Sequence, residues 1–325
     1  MDKIRWGVAG PGIIARKFAE AIANVPSAEL IAVASTSYER AGKFAEEFNV
    51  PHVFSSYEEM AKSDKIDAVY VSTAHPFHKP CAEIFIKNGK VVLCEKPLCV
   101  NEDEAKYLLS LAKEKGVFLM EAMWTRFLPF IDKMHEIISS GEIGDITSLS
   151  ADFCYFIERE EDPKLFENSL AGGSLLDVGV YALHFAMEVF GKAPAKISAK
   201  ANVSDGVDLH TEIKLCYDDG KTAELSSAIR LEKPFDAYIY GTKGSLYIPN
   251  FYEASKIILR KDGKETIFEC SYEGNGFENE IIETMKCINR KKFQSDILPH
   301  SETIAVARQM DEIRRQIGVS YPFDK

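Results

Sequence analysis

Gly10, Gly12 and Ala15, together with a single lysine at position 96 between Glu95 and Pro97, are the residues of this 325-residue chain whose types and spacing point most directly to chemistry. The first three fit a G-x-G-x-x-A turn: Gly10 permits the tight bend, Gly12 lets a pyrophosphate approach the backbone, and Ala15 lets helix and strand pack closely. Glycines in a strand-to-helix turn can serve geometry alone. This turn opens the first βαβ pattern, so it reads as a place where a dinucleotide lies on a helix N-terminus, beside Ile13 and Ile14. Lys96 follows the apolar run Val91–Cys94 and Glu95 and precedes a proline that blocks helix continuation. It therefore stands at the C-terminal end of a buried strand, where open parallel sheets bind ligands. Without the glycine turn upstream it would read as a surface lysine in a loop. Together the two segments imply nicotinamide redox chemistry.

The end of the second strand selects the cofactor, because an acidic residue there holds the ribose of NAD and a cation with small polar neighbours receives the 2′-phosphate of NADP. Here the chain runs Ser35-Thr36-Ser37-Tyr38-Glu39-Arg40. No carboxylate stands at Ser35, and Ser35, Thr36 and Arg40 tilt the reading toward NADP, with NAD as the alternative. Equally, Ser37 can be a helix cap and Arg40 a solvated side chain.

The elements that must position these residues follow from hydrophobic period. Residues 4–9 read as a strand, 13–25 as a helix, 30–35 as a strand, 40–48 as a helix, 68–72 as a strand, 80–88 as a helix, 91–94 as a strand, 102–115 as a helix and 117–120 as a strand. Such alternation predicts an α/β Rossmann domain with a doubly wound parallel sheet over residues 1–120. From 121 to 325 the texture changes. Helices over 130–140 and 174–190 flank strand 146–156, strand-like segments follow at 196–203, 209–217, 222–231, 236–241, 244–248, 255–260 and 265–271, and helices over 277–290 and 301–317 end the chain. This predicts an α+β domain on a large, mostly antiparallel open sheet, joined to the first near Glu121.

Composition narrows the partners. With 46% apolar and 27% charged residues the chain falls in the range of ordinary globular proteins. A formal charge of −11, without a basic cluster, argues against nucleic acid. The apolar runs are too short for a bilayer span. The N-terminus has no basic region followed by an apolar one, and seven cysteines form an odd set without a C-x-x-C pair. The expectation is a cytoplasmic protein with reduced thiols and no structural zinc, acting on a small molecule. Trp124, Phe153, Tyr155 and Phe277 are aromatic candidates for an apolar substrate wall, although single aromatics are usually core.

At the level of whole motifs the chain resembles the Gfo/Idh/MocA oxidoreductases, which pair a Rossmann domain with a C-terminal α/β domain. The resemblance rests on the glycine turn, Thr73-Ala74-His75-Pro76-Phe77-His78, Glu95-Lys96-Pro97, Glu121-Ala122-Met123-Trp124-Thr125-Arg126-Phe127, residues 171–181 and residues 310–318. It is strongest with the branch of dihydrodiol dehydrogenase, D-xylose dehydrogenase and glucose–fructose oxidoreductase. The resemblance implies hydride transfer between a nicotinamide and a carbinol or carbonyl carbon of a sugar or cyclic trans-diol. It implies that Tyr181 stands where many members carry a histidine, that Lys96 and Tyr181 share the proton chemistry with Asp177 orienting that pair or a substrate hydroxyl, and that no metal takes part. Thr73, Glu95, Lys96, Trp124 and Arg126 are then assigned to the cofactor pocket, His75 and His78 to the cofactor and substrate pocket, and Tyr181 also to the substrate. A homodimer or larger homo-oligomer through the open sheet face is expected, with the alternation in 223–229 as its sign. Two other readings keep the fold: a glycosidase using NAD for transient oxidation, and a non-catalytic dinucleotide sensor.

Overall fold

A computed structural model describes residues 3–324, and the chain divides into two compact units. The first runs to Phe127 and takes up Glu273–Ile304; the second comprises Leu128–Tyr272 and the residues from Ala305 onward. The first unit is therefore larger than residues 1–120. Its added segment, 273–304, is held by contacts distant in sequence that no local pattern announces.

In the first unit β1 (Ile4–Ala9), α1 (Ile13–Ala23), β2 (Ala28–Ala34), α2 (Tyr38–Phe48), β3 (His52–Phe54), α3 (Tyr57–Lys62), β4 (Ala68–Val71), α4 (His78–Lys87), β5 (Val91–Glu95), α5 (Glu102–Lys115) and β6 (Leu119–Ala122) alternate. The six strands are all parallel, in the order β3-β2-β1-β4-β5-β6. The order reverses between β2 and β4 at β1, which places a ligand crevice beyond the carboxyl end of β1. Helix α1 turns Ala15, Phe18, Ala19, Ala21 and Ile22 inward, and Phe18 stacks on Tyr70 of β4 with ring centroids 4.0 Å apart. Ser37 caps α2 and Asn101 caps α5 through their side-chain oxygens, each cap contributing about 1 kcal/mol. The short β3 and α3 escape the period analysis because neither is long enough to complete a pattern.

In the second unit α6 (Pro129–Ser139), β7 (Ile146–Cys154), α7 (Val180–Phe190), β8 (Lys196–Ser204), β9 (Val207–Cys216), β10 (Thr222–Ala228), β11 (Ala237–Gly241), β12 (Ser245–Ile248), β13 (Lys256–Lys261) and β14 (Lys264–Glu269) build an eight-stranded sheet. Its order is β14-β13-β12-β11-β7-β10-β9-β8, antiparallel except for the β7–β10 pair. A π-helical turn, Leu175–Gly179, leads into α7. The segment Asn168–Phe190 has the length and hydropathy of a membrane span, contrary to the sequence expectation, yet 89% of its most apolar window is buried inside the fold. It is a core helix of this unit.

Helix α7 packs on β7 and β10. Ala223, Leu225, Ser227 and Ile229 are all buried, and Ser227 lies against Gly179 on the helix side. The alternation in 223–229 thus marks the helix-covered face and not the open one. The opposite face carries Glu224 and a row of stacked tyrosines, Tyr238, Tyr240 and Tyr247. The chain ends with α8 (Phe277–Asn289) in the first unit and α9 (His300–Ile317).

Candidate active site

The carboxyl end of β1 delivers the glycine turn. Gly10 has φ +93°, and a Cβ there would lie 3.0 Å from both the Ser72 carbonyl oxygen and Thr73 Cγ2. Backbone conformation and crowding each demand glycine. Gly12, the N-cap of α1, is different: a Cβ there would meet no protein atom within 4 Å. The helix start has no side-chain cap and no acidic residue in its first turn, so its N–H groups are left for an anion. Ala15 is fully buried, Ile14 half-buried and Ile13 exposed. A buried Thr73 Oγ1 without a protein partner lies beyond β4. These features fit a dinucleotide, which Gly10, Gly12, Ile13, Ile14 and Thr73 would hold.

After β2, Ser35 is buried and its Oγ accepts from the Ser37 N–H at 3.1 Å. Its hydroxyl shapes the turn that presents Thr36 and Arg40. Thr36 and Arg40 are exposed, and Arg40 Nη2 donates to Thr36 Oγ1 at 3.2 Å. A hydroxyl and a guanidinium so paired match the requirement for a 2′-phosphate.

The segment after β5 is built from beneath. Glu95 is 5% exposed; one carboxylate oxygen accepts from the Tyr70 hydroxyl and the other from the Lys96 N–H at 3.1 Å. Burial pushes the Glu95 carboxyl up, against the opposing pull of the Lys96 charge and the Tyr70 hydrogen bond. The Glu95 carboxylate therefore supports the main chain of Lys96 from beneath. Lys96 itself is half-buried. Buried Glu121 accepts from the Leu98 N–H at 3.0 Å and from Thr303 Oγ1 at 2.9 Å, fixing the turn further along.

His78, Arg126, Trp124 and Phe277, all expected at the site, are buried. His78 is 1% exposed, with Nδ1 2.8 Å from the Pro97 carbonyl oxygen and Nε2 2.9 Å from that of Thr73, so both ring nitrogens face main-chain carbonyls and neither faces the crevice. Half-buried His75 remains near the turn, its ring edge-on to His78. Arg126 is buried, paired with Glu302 and donating to the Ile297 carbonyl at 3.0 Å, an internal tie of the first unit. Trp124 and Phe277 stack at 5.3 Å and are 7% and 2% exposed. Phe277 is a packing residue of the first unit, and Trp124 packs against it.

The second unit assembles the other group. Tyr181, in the first turn of α7, is 8% exposed, and its ring lies 5.3 Å from Phe153 and 6.3 Å from Tyr252. Phe153 also meets Tyr252 at 4.5 Å and Phe235 at 5.0 Å. Tyr155 donates to Asp177 Oδ2 at 2.6 Å; burial, then the Asp177 charge, pushes its phenol well above the ordinary range. Phe153, Tyr155, Asp177 and Tyr181 thus come together, while Tyr252 and Phe235 were not foreseen, since nothing in their local sequence separates them from ordinary core aromatics.

The turn before α7 is anchored by Asp208, fully buried, whose Oδ2 accepts from Ser174 Oγ (2.7 Å), Leu175 N–H (2.8 Å) and Thr211 Oγ1 (2.8 Å). Gly173, at φ +113°, gives way to it, because a Cβ there would lie 2.2 Å from Asp208 Oδ1. Among the described residues no group of three or more His, Cys, Asp or Glu could hold a metal ion.

Residues 4–123 match the oxidoreductase family with an NAD-binding Rossmann fold, GFO/IDH/MocA, and residues 131–247 match the GFO/IDH/MocA C-terminal domain. The chain belongs to the GFO/IDH/MocA family. It is an NAD(P)-dependent oxidoreductase whose first unit carries the nucleotide-binding fold. Among relatives of this GFO/IDH/MocA protein, the trans-1,2-dihydrobenzene-1,2-diol dehydrogenase of Mus musculus is 34% identical over 332 residues, covering 99% of both chains. The Xenopus tropicalis enzyme of the same name is 35% identical, covering 98% of this chain and 99% of its own. Among solved structures, KijD10, a 3-ketoreductase from Actinomadura kijaniata in complex with NADP and TDP-benzene, superposes with TM-score 0.89 at 25% identity, over 97% of this chain and 98% of that one. A levoglucosan dehydrogenase with NADH and levoglucosan shares the fold at TM-score 0.87 and 18% identity, over 98% of each chain.

Proposed function

We propose that this oxidoreductase transfers hydride between NADP and the carbinol or carbonyl carbon of a sugar or a cyclic trans-diol, with Tyr181 as proton carrier and Lys96 as the cation on the reacting oxygen. The observation that carries the reading is the cluster around Tyr181. A phenol stands at the start of a helix among Phe153 and Tyr252, with a carboxylate at Asp177 already orienting Tyr155. An aromatic wall with a few convergent polar groups suits a ring that is apolar on its faces and hydroxylated at its rim. The names of the full-length relatives support a diol substrate, and the NADP in the ketoreductase, together with the Thr36–Arg40 pair, supports the 2′-phosphorylated cofactor.

The dinucleotide supplies the hydride chemistry when bound; the chain's residues manage one proton and one developing charge. Free phenol and ammonium groups titrate near ~10, and an ammonium close to a phenol lowers the phenol's pKa. Lys96 stabilises negative charge as it grows on the oxygen. Tyr181 exchanges the proton. Asp177 holds Tyr155, and through it one side of the cluster.

A homodimer or larger homo-oligomer is part of the same proposal. It is supported by the sheet face carrying Tyr238, Tyr240 and Tyr247, with Ile267 55% exposed; a monomeric mass by light scattering at micromolar concentration would contradict it. The function is tested by incubating the protein with NADP or NAD and a panel of sugars and trans-diols while following the absorbance of the reduced nicotinamide. Reduction of NADP by a member of the panel is the expected result. No turnover with any member in either direction would contradict the reading.

A further inference from the structure

His78 opens α4 and lies fully inside the first unit, with its two ring nitrogens 2.8 Å and 2.9 Å from the carbonyl oxygens of Pro97 and Thr73. Carbonyls only accept. A neutral imidazole has one N–H, so it can donate to one of them and must present a lone pair to the other. The imidazolium could serve both, but burial, then the neighbouring His75 and Lys96 charges, disfavours it. One of the two contacts is therefore a hydrogen bond and the other is not.

Burial decides which. The contact to Pro97 is buried and that to Thr73 is part-buried. A carbonyl with access to solvent can find water, whereas an enclosed one left unpaired loses its whole hydration. The proton belongs on Nδ1, bonded to Pro97. That residue follows Lys96 directly, and the Lys96 N–H is fastened on its other side to Glu95. The lysine's main chain is thus held before and after its own Cα.

We propose that His78 is a positioning residue for Lys96, acting as the Nδ1–H tautomer through the Pro97 carbonyl. This rests on the reading of Lys96 as the cation on the reacting oxygen. The side chain reaches no reacting atom; it fixes the turn from which the lysine projects.

The experiment joins kinetics to a direct measurement of the tautomer. His78→Phe keeps a flat ring and removes the bond, while His78→Gln offers an amide N–H₂ to the same carbonyl. His78→Phe is expected to lower kcat by roughly ten- to a hundredfold, as misplacement of a catalytic group does. KM and dinucleotide affinity should stay within a few-fold, and the limb of the kcat pH profile that reports Lys96 should move. His78→Gln should restore most of the rate and the profile. Long-range ¹H–¹⁵N correlation of the ¹⁵N-labelled parent protein should find the proton on Nδ1, whatever the variants do. A proton on Nε2, or a His78→Phe enzyme with parental kcat and pH profile, would overturn the inference. Lys96→Met serves as control: unaltered turnover there would sink the reading of Lys96, while the nitrogen spectrum would still decide the tautomer.

Discussion

Tyr155 donates a 2.6 Å hydrogen bond to Asp177 Oδ2 while its ring stands edge-on to Phe153 at 6.5 Å. The phenol is thereby spent: burial and the carboxylate both hold its proton in place. A tyrosine so held gives up its proton less readily than a free phenol. We expect Tyr155→Phe to keep turnover within about tenfold of the parent, about 1.4 kcal/mol, because its hydroxyl is bound to Asp177 and exchanges no proton with the substrate. Steady-state kinetics check this, and a loss comparable to that of Tyr181→Phe would give Tyr155 the role assigned to Tyr181.

The two glycines of the nucleotide turn should respond differently to alanine. Gly10→Ala meets a positive φ and two atoms at 3.0 Å, so it should cost about 1–2 kcal/mol or more in stability and weaken dinucleotide binding as well. Gly12→Ala meets nothing in the protein, so thermal stability should change by less than about 1 kcal/mol. Binding should nonetheless fall, because the methyl takes the space where the pyrophosphate approaches. Melting curves and fluorescence titration of the nucleotide on both variants separate the effects.

Cofactor choice should rest on Thr36 and Arg40. Arg40→Ala is expected to weaken NADP by about tenfold, equivalent to about 1.4 kcal/mol, and to leave NAD unchanged. In the parent the preference for NADP should be modest, because Arg40 is the one cation of residues 35–40 and Glu39 stands beside it. Tenfold tighter binding of NAD than NADP by the parent would contradict the assignment.

Burial, with the charges of His75 and Lys96, depresses the His78 imidazole to about 4, against ~6.5 when unfolded. Between these values the unfolded chain binds a proton that the folded chain does not. The stability contribution is therefore complete above about pH 6.5 and is lost as pH falls toward 4, up to about 3 kcal/mol. Denaturant midpoints of the parent and of His78→Gln should converge as pH falls through this window. A difference that stays constant would show that His78 does not titrate with folding.

Much of this was legible before any coordinates. Gly10, Gly12 and Ala15 are recognised by spacing because turn, approach and packing each dictate a residue type, and Lys96 by its place after a buried strand. Burial was the harder quantity. Arg126, Trp124 and Phe277 are of types that serve sites and cores alike, and only the packing of α8 and the Glu302 ion pair places them inside the first unit. His78 and Glu95 lie next to the chemistry in sequence, yet their polar atoms turn to main chain and Tyr70. Tyr252 joins Tyr181 from a segment distant in sequence, a contact that period analysis cannot reach.

The central claim is that Tyr181 and Lys96 serve one proton and one oxygen, and turnover of three variants tests it most directly. Tyr181→Phe keeps the ring that packs on Phe153 and removes the hydroxyl; Lys96→Met keeps most of the stem and removes the charge. Each should bind the dinucleotide within a few-fold of the parent and lower kcat by roughly 10²–10⁴. The double variant should lose far less than the product of the two, because groups that act as a unit are not additive. A fully active Tyr181→Phe enzyme, or losses that multiply in the double variant, would contradict the account.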